Sequence, residues 1–152
     1  MAHVKLLSND NGFMRCVFYI HAAVGTGRAN GRDDVLLVQF LLRSMWDREN
    51  KPGDKQTIGV PGKPALAVDG RFGADTLAAI KRFQTLYHDG KLSDGIVHPV
   101  PAGQSYGPRR NLAYTMIGLN TMFAGYFGKE RHMLLCNEPG FPQDLRLKFY
   151  AN

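Results

Sequence analysis

Apolar residues near the start of the chain alternate with other residues, which is the spacing of a β-strand. Residues 4–7 and 13–20 flank a polar Asn-Asp-Asn-Gly cluster at positions 9–12. Every second residue from Met14 to Ile20 is apolar, as in a half-buried strand that turns Tyr19 to the other face. Asn, Asp and Gly tolerate left-handed turn geometry. The segment therefore predicts a β-hairpin.

Three later segments carry apolar residues at intervals of three and four, which predicts helices. The first runs from Asp34 to about Trp46 and is apolar on most sides, so we expect it to be largely buried, with Asp33 as its cap. The second runs from the region of Ala74 to a stop at Gly90. The third is predicted from residue 108 to residue 127.

The chain ends complete the predicted architecture. Residues 131–136 and 145–150 are short strand candidates on either side of a Glu-Pro-Gly turn. We predict an α+β fold: a three-helix bundle beside a small antiparallel sheet from the N- and C-terminal strands. The prediction is one domain over residues 1–152, with a helical core at 33–127 and strand-forming extensions at 1–30 and 129–152.

Composition limits the partners that this chain is expected to bind. With 19 Lys and Arg residues against 13 Asp and Glu, the formal net charge is +6, which favours acidic partners such as an anionic wall polymer. The basic residues are scattered without interleaved aromatic residues, so nucleic acid is not expected. No run approaches the ~18 apolar residues of a membrane span.

The N-terminal sequence does not predict a secretion signal. A polar turn follows residue 7 at once, and the next apolar run is interrupted by Arg15 and His21. The expectation is synthesis in the cytoplasm and delivery to the periplasm or wall by a specialised machine. Cys16 and Cys136 permit a single bridge, and their redox state stays open, although free core thiols are the more common case.

The residues that usually carry catalysis are not arranged for it. No histidine pair has helical i, i+4 spacing, and no Cys-x-x-Cys occurs, so no metal is predicted. His132 and Cys136 share a face of a predicted strand, but no orienting group supports a thiol nucleophile. The glycines at 25, 27 and 31 are one residue too widely spaced for a dinucleotide loop. We predict a protein that is not an enzyme and has no cofactor.

A short turn sequence occurs twice. Residues 67–72 are AVDGRF and residues 92–97 are LSDGIV, so an Asp-Gly pair lies at the same place in each. The first copy leads into the second predicted helix, and the second copy precedes the third. The pattern predicts a second, looser version of one structural unit.

Each residue of the first turn has a predicted structural role. Asp69 can accept amide hydrogen bonds in an Asx turn, and Gly70 and Gly73 permit positive φ. Phe72 is expected to anchor the turn in the core. Thr76 is expected to bond within the first turn of its helix.

Three segments in order resemble the peptidoglycan-binding domain family, the small three-helix modules appended to cell-wall enzymes. They are residues 34–42 (DVLLVQFLL), 68–73 (VDGRFG) and 76–84 (TLAAIKRFQ), and residues 92–97 are similar to the start of the family's second half-repeat. The chain differs in its longer 47–67 loop. The matched positions that the resemblance implies to be structural are Asp69, Gly70, Phe72, Gly73, Thr76, Phe83, Gln84, Asp94 and Gly95.

The resemblance implies non-catalytic binding of peptidoglycan or its fragments. Because no catalytic pattern is found, we expect the protein to target or anchor a larger assembly. Because no secretion signal is predicted, the expected route to the wall is a phage-like or contractile secretion apparatus, or release after lysis. Guanidinium and ammonium groups can bind carboxylates of a wall peptide, and aromatic rings offer flat faces to a sugar. The candidate ligand-binding residues are Arg71, Lys81, Tyr87, Gln104, Tyr106, Arg109 and Arg110.

Two other hypotheses stay open. The fold can be a structural scaffold without wall affinity, with a protein partner paired to an exposed edge strand at 145–150. A small hydrolase is the third, and it would need a pocket with perturbed titratable groups.

Overall fold

A computed structural model describes residues 2–8, 14–49, 53, 56–101 and 114–150. This part of the chain is mostly helical. The strands are β1 (His3–Ser8) and β2 (Met14–Tyr19), and the helices are α1 (Arg32–Ser44), α2 (Ala74–Tyr87), α3 (Thr115–Phe127), α4 (Lys129–Met133) and α5 (Gln143–Tyr150), with a 3₁₀ turn at Leu135–Asn137. None of the helices in the described ranges is long and apolar enough to cross a membrane.

The predicted helical bundle is confirmed, and α1 is its central element. Every residue from Asp34 to Leu42 is buried, because α1 contacts α2, α3 and α5. Fully buried Phe83 and Phe123 extend the same core into α2 and α3. Asp33 is not the cap of α1, which begins one residue earlier and has Gly31 at the cap position.

The N-terminal strands pair only with each other in the described structure. β1 and β2 are antiparallel, with His3 opposite Tyr19 and Ser8 opposite Met14. The predicted turn at 9–12 lies outside the described residues. The half-buried alternation is wrong at the end of β2, where Phe18, Tyr19 and Ile20 are all buried.

The predicted C-terminal strands are wrong, because residues 129–133 and 143–150 are helical. In α5, Leu145 is fully buried and Phe149 packs against the core, whereas Leu147 is 66% exposed. Residues four apart share a helix face, but all three would share a face of a strand. The sheet between the two chain ends does not form, and the proposed edge strand at 145–150 does not exist.

Residues near α5 attach it to the rest of the bundle. Lys148 Nζ donates to Asp33 Oδ2 over 2.6 Å, which connects α5 to the first turn of α1. The rings of Phe149 and Phe18 meet edge to face at a centroid distance of 5.6 Å. Since an ion pair with a solvent-exposed partner contributes little, the packing of the two rings supplies most of this attachment.

Candidate functional site

A buried glutamine of α1 holds the first Asp-Gly turn. Gln39 Oε1 accepts hydrogen bonds from the backbone amides of Asp69 (3.1 Å) and Gly70 (2.8 Å). Its Nε2 donates to the Arg71 carbonyl (3.0 Å), Thr76 Oγ1 (3.0 Å) and Asp69 Oδ1 (3.1 Å). We call this arrangement the first clamp. It fixes the turn between α1 and the start of α2.

A glutamine of α2 does the same for the second Asp-Gly turn. Gln84 Oε1 accepts from the Gly95 amide at 2.8 Å. Its Nε2 donates to Asp94 Oδ1 (2.8 Å), the Ile96 carbonyl (3.0 Å) and Thr115 Oγ1 (2.9 Å). This second clamp fixes its turn between α2 and the start of α3.

The two turns share their backbone geometry. Gly70 and Gly95 have φ of +73° and +74°, a region that strongly favours glycine. Asp69 Oδ1 accepts from the Arg71 amide at 2.9 Å, and Asp94 Oδ1 accepts from the Ile96 amide at 2.9 Å. The predicted Asx turn and the predicted repeat are both confirmed.

A third amide side chain, which sequence reasoning missed, holds the end of β2. Asn120 of α3 accepts from the Phe18 amide at 2.8 Å and donates to the Phe18 carbonyl at 3.0 Å. His132 Nε2 lies 2.9 Å from the same Asn120 oxygen, so this ring nitrogen is the donor. Each of α1, α2 and α3 therefore carries one buried amide side chain that holds the backbone preceding another of these three helices.

Two of the predicted roles in the first turn need correction. Gly73 has φ of −150°, which is extended backbone and not the predicted positive φ. Thr76 does not bond within its own helix but to Gln39 and, at 3.5 Å, to the Arg71 carbonyl. Phe72 packs against the core, as predicted.

Hydrogen bonds keep the Asp69 carboxylate charged. Donation from the Arg71 amide, followed by donation from Gln39, lowers the pKa of Asp69 below its ordinary value. Because its Oδ1 serves the turn, this carboxylate is a structural part of the first clamp.

The first clamp forms one wall of a cleft of about 310 Å³. Residues 63–67 and Trp46 also line it. Its charged lining residues are Lys63, Asp69, Arg71 and Asp75. Lys63 Nζ donates to Asp75 Oδ1 over 2.6 Å. Within the described residues, the exposed guanidinium of Arg71 has no hydrogen bond or ion pair.

The other predicted ligand residues do not line this cleft. Tyr87 stacks on Phe83 at 5.5 Å and lies against Gly118, where a Cβ would come within 2.7 Å of its ring, so it packs in the core. Lys81 is exposed, and its stem lies over Gly95. Gln104, Tyr106, Arg109 and Arg110 lie outside the described residues.

Sequence reasoning missed three cleft residues: Trp46, Lys63 and Asp75. Asp75 lies in the first turn of α2, where an acidic residue also complements the helix dipole. The only feature of the sequence that pointed to these residues was the loop that contains Lys63 and Pro64, which is longer than in the family that the chain resembles.

The described residues contain no group of three His, Cys, Asp or Glu side chains that could hold a metal ion. Cys136 is a buried thiol, and the strand that was predicted to align it with His132 is helical instead. His132 bonds to Asn120. The strand that would place His132 on the same face as Cys136 is therefore absent, and the argument for a thiol nucleophile loses its geometric basis.

No protein-family model, curated protein or solved structure matches this chain. The resemblance to the peptidoglycan-binding domain family stays a prediction, carried by its three sequence segments.

Proposed function

We propose that this protein is a non-catalytic module that binds peptidoglycan or its fragments in the cleft beside the first clamp. One observation carries the proposal: the VDGRFG turn, the most specific part of the resemblance, forms a wall of the cleft. In that wall, Arg71 offers a guanidinium to a ligand. The proposed role of such a module is to target or anchor a larger assembly at the wall, of the phage-like or contractile secretion type.

The net charge of +6 makes a control for unspecific attraction necessary. A basic protein adheres to an acidic polymer through long-range charge, which salt screens over about 10 Å at 0.1 M. Contacts inside a cleft are screened less. Salt therefore separates the two kinds of binding.

The experiment is a pull-down with purified insoluble sacculi at low and high salt. It compares the wild type with Arg71→Gln and with Arg28→Gln, which removes the same charge from an exposed loop outside the cleft. The proposal expects binding that survives high salt and falls only in Arg71→Gln. Binding that disappears with salt equally in all three proteins, or no binding, would reject it.

A second candidate function is a scaffold that binds another protein. It no longer has the edge strand, but three large apolar side chains are exposed near the C-terminus: Met133 (62%), Leu134 (59%) and Leu147 (66%). A contiguous exposed apolar patch favours an interface, and Met133 and Leu134 are adjacent in the chain. Light scattering over a concentration series of the wild type and Leu147→Lys tests whether the partner is a second copy of this chain. A monomer mass that does not change with concentration would reject self-association.

A further inference from the structure

We propose that the cleft prefers a zwitterionic ligand to any anionic ligand, small or polymeric. The zwitterion is an amino acid or short peptide that carries a free carboxylate and a free ammonium. The inference rests on the proposed function only in assuming that this cleft is the binding site.

The charge of the cleft differs from that of the whole protein. The chain has a net charge of +6, yet the cleft is lined by the cations Lys63 and Arg71 and the anions Asp69 and Asp75. These four charges sum to zero. A ligand with one sign of charge would therefore meet repulsion from half of the charged lining, whereas a ligand with both signs can pair with each.

Arg71 is the group suited to the carboxylate. Its guanidinium has no hydrogen bond or ion pair among the described residues, although its charge helps to lower the pKa of Asp69. A planar guanidinium binds a carboxylate through two parallel hydrogen bonds. Asp69 is close in sequence, but its Oδ1 already accepts from the Arg71 backbone amide and from Gln39. Oδ1 of this carboxylate is thus committed to the turn, and the guanidinium is available.

Asp75 is the group suited to the ammonium, and it already binds one. Lys63 Nζ, a primary ammonium, lies 2.6 Å from Asp75 Oδ1. The Lys63 and Asp75 side chains are 46% and 72% exposed, so this ion pair contributes little to stability. A ligand ammonium can replace Lys63 at Asp75 by exchanging one exposed ion pair for another. Lys63 is then a competitor of the ligand.

This competition gives Lys63 and Arg71 opposite effects when each is neutralised. Loss of Arg71 removes the partner of the ligand carboxylate, so affinity falls. Loss of Lys63 removes the internal competitor, so affinity for a zwitterion rises. If both cations instead bound an anionic ligand, both losses would weaken binding.

The test is an NMR chemical-shift titration of the full chain with three probes: dialanine, N-acetyl-dialanine and dialanine amide. They carry both charges, the carboxylate alone and the ammonium alone. Dialanine is expected to bind about fivefold more tightly than either blocked form, the upper range for one exposed ion pair. Arg71→Gln should weaken dialanine by about the same factor, and Lys63→Gln should strengthen it by about twofold to fivefold. Arg28→Gln is the matched control without effect.

Three results would overturn the inference: N-acetyl-dialanine binding as tightly as dialanine, weaker dialanine binding in Lys63→Gln, or no shift with any probe. Unchanged urea midpoints would show that the variants are folded. Binding to sacculi without discrimination among the probes would reject this inference alone. Discrimination among the probes without binding to sacculi would reject the wall function and leave the zwitterion site.

Discussion

The second clamp offers the most direct test of what holds this bundle together, through the substitution Gln84→Leu. Gln84 is fully buried, and leucine has a similar volume, so little cavity forms. The change leaves the Gly95 amide and the Thr115 hydroxyl in a buried position without their partner. A buried polar group that loses its partner costs about 1–3 kcal/mol.

The expected total is about 3 kcal/mol, because the Gly95 amide loses its acceptor, whereas the Thr115 hydroxyl loses only the bond that it accepts from Gln84 and can still donate. A domain of this kind has an unfolding free energy of about 5–15 kcal/mol, so the loss is large. With a urea m-value of about 2 kcal/mol/M, the midpoint should fall by about 1.5 M.

The assay is urea unfolding followed by the fluorescence of Trp46, the single tryptophan, and by helical circular dichroism. Gln143→Leu is the matched control, because Gln143 is the exposed first residue of α5. Its free energy of unfolding should change by no more than about 0.5 kcal/mol. A midpoint shift in Gln84→Leu as small as that of the control, at an unchanged m-value, would refute the role of the clamp.

Three further predictions use the same unfolding assay. Gly95→Ala should cost about 2–3 kcal/mol, since its new methyl group would lie 2.4 Å from Leu77 Cδ1 at φ +74°, whereas Gly62→Ala, at φ +73° with no atom within 4 Å, should cost about 1 kcal/mol; equal losses would contradict this. Burial lowers the pKa of His88 below 6.5, so stability should fall as the pH drops from about 7 towards the folded-state pKa. His88→Asn should flatten this dependence, and an unchanged slope would count against it. The pKa of Asp69 is lowered by the Arg71 amide and Gln39, so its contribution to stability should be present at neutral pH and disappear as the pH falls below about 4. Asp69→Asn should therefore be less stable than the wild type at pH 7 and approach it in acid, and a constant difference would be inconsistent with this reasoning.

The helices of the bundle were predictable because their signals are local. The apolar residues of α1 determine its burial over 34–42, and the glycines after α2 and α3 mark their ends. At the C-terminus the local signal was ambiguous. Leu145, Leu147 and Phe149 fit alternation, yet Leu145 and Phe149 also fit helical spacing, and only packing against the core distinguishes the two.

The Asp-Gly turns were also predictable, but the pairing of each turn with its glutamine was not. Gln39 lies 30 residues before Asp69, and Gln84 lies 10 residues before Asp94. Because the spacing from glutamine to aspartate differs between the two copies, a search for a motif of fixed spacing does not find the repeated hydrogen-bond pattern. The role of Asn120, 102 residues from Phe18, had no local signal at all.

The amino-acid sequence alone thus determined where α1, α2 and α3 form and where the Asp-Gly turns lie, because backbone preference and the i, i+4 contact are properties of neighbouring residues. Tertiary structure decided which buried amide holds which turn and which charges share the cleft. Lys63 and Asp75, for example, lie 12 residues apart in the sequence, and their side chains meet only in the folded chain. Such contacts depend on the closure of loops between distant residues, which no local pattern encodes.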